Sequence, residues 1–420
     1  MPPLRNMEEM RLFLFDDARG CFGPLTDLRA SFELRTGAGL TRWRIEHALG
    51  MAPAGLLVPP KLAGIVRQRY ALPVNEPLTS AEADPVLLVN GRWPGAAESE
   101  AVRHLEAGSM LVQDDGQLVA ACLPSVDAQT LVDGRFDPAA LPATHVNRVE
   151  QNLLLDRPWD ILDQLEASLD KDAAYIDLPV WRGREPHIML RHGYAFKAAR
   201  DAVLHPGIAV DTTRGPVYIG EGAVVHSMVT LEGPCYIGSG STIMPHTSIR
   251  ANTIIGPVCK VAGEISFCII HGYSNKAHAG FLGHSLVGQW VNLGADTTVS
   301  NLKNTYGTVR MQLTQTRPGE DSGRQFLGPL IGDYVRTAIG TRLTTGACIG
   351  TGAMLAMSSF SPRFVAPFSF CTDQRTEPAD PPRFFATVEA MLARRQIILG
   401  EAERARLESL MTEAMDGGQV

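Results

Sequence analysis

The chain has 420 residues, 45% hydrophobic and 20% charged, with a formal net charge of −7 and a pI near 5.9. That balance predicts a soluble globular protein of two domains, and the acidic surplus excludes the broad basic surface that nucleic acid or an anionic membrane would require. Seven cysteines, odd in number and scattered from Cys21 to Cys371 with no C-x-x-C pair, predict reduced and mostly buried small apolar side chains.

At the N-terminus, Met1 to Arg11 carries mixed charge, and the apolar run Leu12 to Phe15 is too short for a signal-peptide core or a membrane span. The expectation is a cytoplasmic protein with no membrane partner. From Met10 to Arg200, short apolar runs (Leu12 to Phe15, Val86 to Val89, Leu118 to Leu123) mix with helical stretches such as Thr41 to Leu49. This predicts an α/β domain over residues 1–200.

A repeat then takes over. Aliphatic residues recur every six positions at Ile219, Val225, Leu231, Ile237, Ile243, Ile249, Ile255 and Val261. Neither a helix of period 3.6 nor a strand of period 2 sustains a period of six. One short strand plus one tight corner does, and three such repeats close a triangular coil with the aliphatic residue pointing inward. The pattern resumes at Val287, Leu293 and Val299, and again at Ile331, Thr337, Leu343, Ile349 and Leu355, with one polar slot at Thr337. The spacing predicts a left-handed parallel β-helix of hexapeptide repeats within residues 201–375. Two stretches, about Glu264 to Ser285 and Leu302 to Leu330, break the period and are expected to leave the coil as loops.

Beyond the repeat, Pro378-Ala379-Asp380-Pro381-Pro382 reads as a stiff linker. Apolar residues at helical spacing predict a helix from Arg383 to Leu399, ended by Gly400, and a second from Glu401 to Met415. Residues 376–420 thus form a short C-terminal helical arm.

Particular motifs extend this reading. Phe15-Asp16-Asp17, Pro24-Leu25-Thr26, Phe32-Glu33-Leu34-Arg35-Thr36-Gly37 and Val89-Asn90-Gly91-Arg92 lie in the first domain. Gly256 to Lys260, Tyr273-Ser274-Asn275-Lys276, Gly280 to His284 and Trp290 to Ala295 lie in the second. Together they resemble a sugar nucleotidyltransferase family that joins an α/β nucleotidyltransferase-like domain to a hexapeptide β-helix. More distantly the chain is similar to the bifunctional N-acetylglucosamine-1-phosphate uridylyltransferase and glucosamine-1-phosphate acetyltransferase. In that family a loop histidine, a hydrophobic-Leu-Gly step, a coil reading Asn-x-Gly-Ala-x-Thr and a further Asn make the acetyl-transfer site. Here His278 precedes Phe281-Leu282-Gly283, Asn292 opens Asn292-Leu293-Gly294-Ala295-Asp296-Thr297, and Asn301 follows.

Acyl transfer from a thioester to an amine needs a base of near-neutral pKa on the attacking nitrogen, and His278 is the candidate. The resemblance implies that Asn301 orients the base or the oxyanion and that Asn292 contacts the sugar. A backbone N–H near Ala295 would stabilise the oxyanion of a bound acyl-CoA. Lys276 and Lys303, with Tyr273, Asn275 and Tyr306, are candidates for holding a sugar phosphate. A competing reading groups His278 and His284 with His226, His246 and His271 as a zinc site between subunits, although no metal-ligand set is assigned.

In the first domain, nucleotidyl transfer needs a phosphate cradle, a basic residue and carboxylates for Mg²⁺. The superfamily's Gly-Thr-Arg loop is replaced by Phe15-Asp16-Asp17-Ala18-Arg19-Gly20, Asn90 stands where a metal-binding Asp is expected, and Ala30 follows Arg29 where the closer family has Pro. Asp16, Asp17, Arg19, Arg29 and Asn90 are the nucleotide-binding candidates, with Mg²⁺ as cofactor if this domain is active.

The leading expectation is a transferase of sugar-nucleotide metabolism. It would carry acetyl or another acyl group from acyl-CoA to an amino sugar phosphate, transfer a nucleotidyl group from a nucleoside triphosphate to a sugar 1-phosphate, or do both, as a homotrimer. Two alternatives stand beside it: nucleotidyl transfer alone with the β-helix as a trimerisation stem, and a non-catalytic scaffold that binds nucleotide sugars.

Overall fold

The computed structural model describes residues 10–78, 85–95, 98–132, 141–142, 144–182 and 188–415. The chain forms two compact units that are not contiguous in sequence. One takes the chain up to Gly20 with Leu28–Leu34 and Gly39–Arg157; the other takes Cys21–Asp27, Arg35–Ala38 and everything from Pro158.

The first unit is a six-stranded sheet with helices. Its strands are β1 (Arg11–Phe15), β2 (Pro53–Leu57), β3 (Pro85–Asn90), β4 (Ser109–Gln113), β5 (Leu118–Pro124) and β6 (His145–Val149), in the order β2-β1-β3-β5-β4-β6. β1 runs parallel to both β2 and β3, whereas β5 is antiparallel to its two neighbours. Central strands covered on both faces read as unbroken apolar runs, and the two faces of β1 show why. Leu12 and Leu14 pack into one core with Ile45, Leu49, Leu62 and Val66, while Phe13 and Phe15 pack into the other with Val86, Leu88 and Leu123. Asp16 and Asn90 therefore lie at the carboxyl ends of adjacent parallel strands, the usual position for ligand contacts in such sheets.

The second unit is a three-sided parallel coil. The first side is a nine-stranded sheet running from Phe196–Ala198 through Val217–Ile219, Thr253–Ile255 and Leu286–Gln289 to Phe364–Val365. The second side includes Val224–Val225, Lys260–Val261 and Asn275–Lys276, and the third includes Thr230–Glu232, Glu264–Ser266 and Phe281–Gly283. Val217 pairs with Cys235 and Cys235 with Thr253, eighteen positions on each time, as three sixes demand. Every aliphatic position of the six-residue period is buried, and together they form one continuous interior. The polar slot is also internal. Thr337 Oγ1 lies 2.7 Å from Thr297 Oγ1 and accepts the Gly294 N–H, so its hydroxyl is satisfied.

The break expected from Glu264 to Ser285 is corrected by the structure. Those residues stay in the coil, and what changes is corner length. Ser248 pairs with Glu264, sixteen on; Ile254 with Ile269, fifteen on; and Ile269 with Leu286, seventeen on. Losing one to three corner residues erases the six-residue period while the strands still stack. The second break does leave the coil: Leu286 pairs with Leu330, forty-four positions on. The excursion carries a small antiparallel ladder between Arg310–Met311 and Glu320–Asp321.

At the C-terminal end, Thr376–Pro378 pairs antiparallel with Ser369–Thr372, so the expected linker begins as a strand. A helix follows over Pro381–Ala393, with the Asp380 carboxylate accepting the Arg383 N–H at 3.1 Å as its N-cap. It stops short of the expected Leu399, and Gln396 takes a left-handed conformation. The last helix, Glu401–Met415, matches its expected bounds. All seven cysteines are free, and six are buried. Among the described residues no helix is long and apolar enough to cross a membrane.

Candidate functional site

In the first unit the turn after β1 is held by its own acids. One Asp16 oxygen accepts the Ala18 N–H and the other accepts the Ser31 N–H at 2.7 Å. Burial raises the Asp16 pKa, and these two N–H groups offset part of that. Asp17 faces the buried Arg92, whose Nε and Nη2 reach its two oxygens at 2.9 and 2.7 Å. Asn90 donates to the same carboxylate at 2.9 Å. Burial pushes Asp17 up, but the hydrogen bond and charge of Arg92 outweigh it and hold the carboxyl below its usual range. Arg92 also binds the Asp156 carboxylate, the Leu155 carbonyl and Gln117.

A divalent cation needs carboxylate oxygens converging on one open point. Here the Asp17 oxygens face a guanidinium and the Asp16 oxygens face backbone N–H groups, so these residues do not fit Mg²⁺. Arg29 is buried and Arg19 is exposed. Asn90 and Asp17 are brought together, but as parts of an internal ion-pair network.

The candidates in the second unit are distributed over the corners of the coil. Tyr273 lies at the corner from the first side to the second and stacks on Trp290, one turn on, with centroids 4.6 Å apart. Asn275 begins the second side, where its Oδ1 accepts from Arg395 at 3.2 Å. Asn292 sits directly over it, bridging Asn275 and Arg336, and its side chain is exposed.

The corner from the second side to the third carries His278. Its ring is exposed and makes no hydrogen bond among the described residues. Lys276 is not the exposed phosphate-binding cation expected of it. Its side chain is buried, and its Nζ donates to the carbonyls of Ala262, His278 and Ala279 at 3.0 to 3.3 Å. Burial lowers its pKa to about 8, with Asp296 opposing. The corner is too tight for side chains at two points. A Cβ on Gly263 would lie 2.3 Å from the Gly280 oxygen, and one on Gly280 would lie 2.1 Å from the Thr297 oxygen, both with left-handed φ. Asn275 pairs with Asn292, seventeen on, and the same offset puts Ala295 over His278 in the next turn. Adjacent turns are about 4.8 Å apart. The Ala295 carbonyl accepts from Gly340, whereas its N–H has no backbone acceptor among the described residues.

Asn301 is elsewhere, at the corner from the third side back to the first. His278 precedes the strand Phe281–Gly283 and His284 follows it, so the two histidines stand at opposite ends of one side. Asn301 Nδ2 lies 2.8 Å from His284 Nδ1. Lys303 and Tyr306 belong to the excursion that starts here. Lys303 donates to the Thr308 carbonyl, and Tyr306 is exposed. The expected partnership of Asn301 with His278 is therefore not formed within one chain.

These two halves have known likenesses of different kinds. Residues 12–178 match the sugar nucleotidyl transferase family. Among curated proteins, the bifunctional sugar-1-phosphate nucleotidylyltransferase/acetyltransferase of Sulfurisphaera tokodaii is 35% identical over 34% of this chain and 35% of its own length. The bifunctional protein GlmU of Methanocaldococcus jannaschii is 28% identical over 51% of this chain and 46% of its own length. The chain thus spans less than half the length of either relative. Among solved structures, a hexapeptide transferase family protein from Anaplasma phagocytophilum covers 55% of this chain and 96% of its own at 12% identity and TM-score 0.16. The UDP-N-acetylglucosamine acyltransferase of Arabidopsis covers 50% and 79% at 11% identity and TM-score 0.19.

Within the segment that matches the sugar nucleotidyl transferase family, the buried Arg92 takes the Asp17 carboxylate. In the solenoid, sequence reasoning passed over His284 as a partner for Asn301. The signal lay in the offset: Phe267, His284 and Asn301 follow one another by seventeen, the local turn length. Within one chain the histidines of the zinc reading form no group of three among the described residues. His205 and His226 stack on each other at 4.8 Å, and no group of three or more metal-binding side chains occurs among the described residues.

Proposed function

We propose that this chain is a cytoplasmic transferase of sugar-nucleotide metabolism. Its solenoid moves an acyl group, acetyl in the simplest case, from acyl-CoA to an amino sugar phosphate. The observation that carries this reading is the His278 corner, where an exposed histidine stands one turn from a backbone N–H with no backbone acceptor among the described residues. A thioester carbonyl placed between them meets a base on the amine side and a donor on the oxygen side.

His278 takes the proton from the attacking amine as the carbon–nitrogen bond forms. The Ala295 N–H holds the negative oxygen. When the carbon–sulfur bond breaks, the proton passes from His278 to the leaving thiolate. Lys276 keeps the backbone of the histidine loop in place, and the exposed Asn292 contacts the sugar. The acceptor site is a cleft shared between copies in a homotrimer, a reading supported by Lys303 and Tyr306 at one corner and Tyr273 and Asn275 at another.

A second reading applies to the first unit. The names of the relatives support nucleotidyl transfer to a sugar 1-phosphate, using a nucleoside triphosphate. The Asp17–Arg92 pair favours instead a unit that binds a nucleotide sugar without a metal-assisted step. Thiol release from acetyl-CoA in the presence of amino sugar phosphates tests the first reading, with loss of release in His278→Ala as its expected signature. Pyrophosphate release from nucleoside triphosphate with a sugar 1-phosphate separates the two readings of the first unit.

A further inference from the structure

The corner from the third side to the first has features that the His278 site does not use. The His284 ring lies between Phe267, at 4.9 Å with planes 9° apart, and Phe326, at 5.3 Å and 25°. The excursion leaves and returns at this point. Leu302 bridges Phe326, the Leu327 N–H donates to the Asn301 carbonyl, and the Gly328 N–H donates to the His284 carbonyl. Two backbone closures therefore fix the Phe326 wall and the amide. An amide nitrogen has no lone pair to offer, so the contact at 2.8 Å makes Asn301 the donor and Nδ1 the acceptor. The neutral ring then carries its proton on Nε2, which makes no hydrogen bond among the described residues. Phe326 is 41% exposed, so the column opens outward at its rim.

We propose that His284 supplies a second hydrogen-bond donor, Nε2–H, to the thioester carbonyl in the acyl-transfer site, contributed by one copy of the chain to the His278 corner of the next. A neutral N–H between aromatic walls suits an oxygen that gains charge next to an apolar acyl chain, because it gives no proton away and needs no reorganisation. His278 and His284 stand at opposite ends of one side, so a single chain cannot present both to one carbonyl, whereas a ring of copies brings unlike corners together. In the reaction the amine nitrogen bonds to the carbonyl carbon, and the oxygen takes the electron pair and is held by Ala295 N–H and His284 Nε2–H. The carbon–sulfur bond breaks as that pair returns, and the amine proton leaves through His278 to the thiolate.

This inference rests on the acyl-transfer reading. The test is thiol release from acetyl-CoA by the full chain and its variants. Removing one such donor lowers kcat by about 100-fold with little change in KM, which is the expectation for His284→Ala. His284→Gln, which keeps a side-chain N–H, recovers part of that loss. Rings purified to contain both His278→Ala and His284→Ala copies regain about one third of wild-type turnover, since one site in three then holds both native residues. Wild-type kcat in His284→Ala, or mixed rings that stay inactive, overturns the inference. A wild-type chain that releases no thiol removes the acyl-transfer reading itself, and this inference with it.

Discussion

Asn301 stands one coil turn above His284 and points its amide nitrogen at His284 Nδ1 from 2.8 Å. That contact holds the ring in one tautomer, and burial lowers its pKa from 6.5 to about 4. Nitrogen-15 spectra of histidine-labelled protein at pH 7 should show one neutral ring protonated on Nε2 and unresponsive to acid until well below pH 6. Asn301→Ala should release that tautomer preference.

The same shift has a stability consequence of fixed sign. As pH falls from 6.5 toward 4, the unfolded chain takes up a proton that the folded ring refuses, so the stability present above pH 6.5 is lost across that window. Urea midpoints of the wild type should fall more steeply over this range than those of His284→Gln. Parallel curves would mean the ring is solvated.

Lys276 makes a different prediction. Its folded pKa of about 8 lies below the unfolded 10.5, so the unfolded chain holds the extra proton between those values and stability rises with pH across them. The difference between wild type and Lys276→Met should grow in favour of the wild type from pH 8 to 10.5. The variant should also show faster amide exchange at Ala277 to Gly280, because the carbonyls of His278 and Ala279 lose their donor.

In the first unit, Arg92→Met leaves the Asp17 carboxylate buried without its cation. Breaking a buried pair from one side costs about 3 kcal/mol or more, so the melting transition of that unit should drop by several degrees. Millimolar Mg²⁺ should leave the wild-type melting temperature unchanged, since the carboxylates already have partners. A rise in melting temperature on adding Mg²⁺ would contradict the pairing.

Ile255→Ala probes the coil interior. The side chain is fully buried in the aliphatic stack, so truncation should destabilise the second unit by about 3 kcal/mol in chemical denaturation.

The solenoid was legible because its inward positions obey one rule, and Ile219 to Val261 state it eight times. Where corners shorten, as between Ser248 and Glu264, the six-residue count fails although the strand pairing continues. A search for period six reads that as a loop. Lys276 was misread for a related reason. A lysine followed by a histidine near a glycine looks like a solvated cation, and only the close approach of Gly263 and Gly280 shows that its ammonium closes a corner. The Asp17–Arg92 pair spans seventy-five positions, beyond the reach of local pattern. His278 was found by motif, but the separation of His278 from Asn301 is set by which corner each occupies, and this depends on counting turns of uneven length.

A crystal structure of the full chain soaked with coenzyme A decides whether the His278 corner is the acyl-transfer site. The thiol should lie beside His278 and the Ala295 N–H of one copy, with His284 of an adjacent copy facing the same point. Coenzyme A bound away from that corner, or a corner closed by protein in every copy, would contradict it.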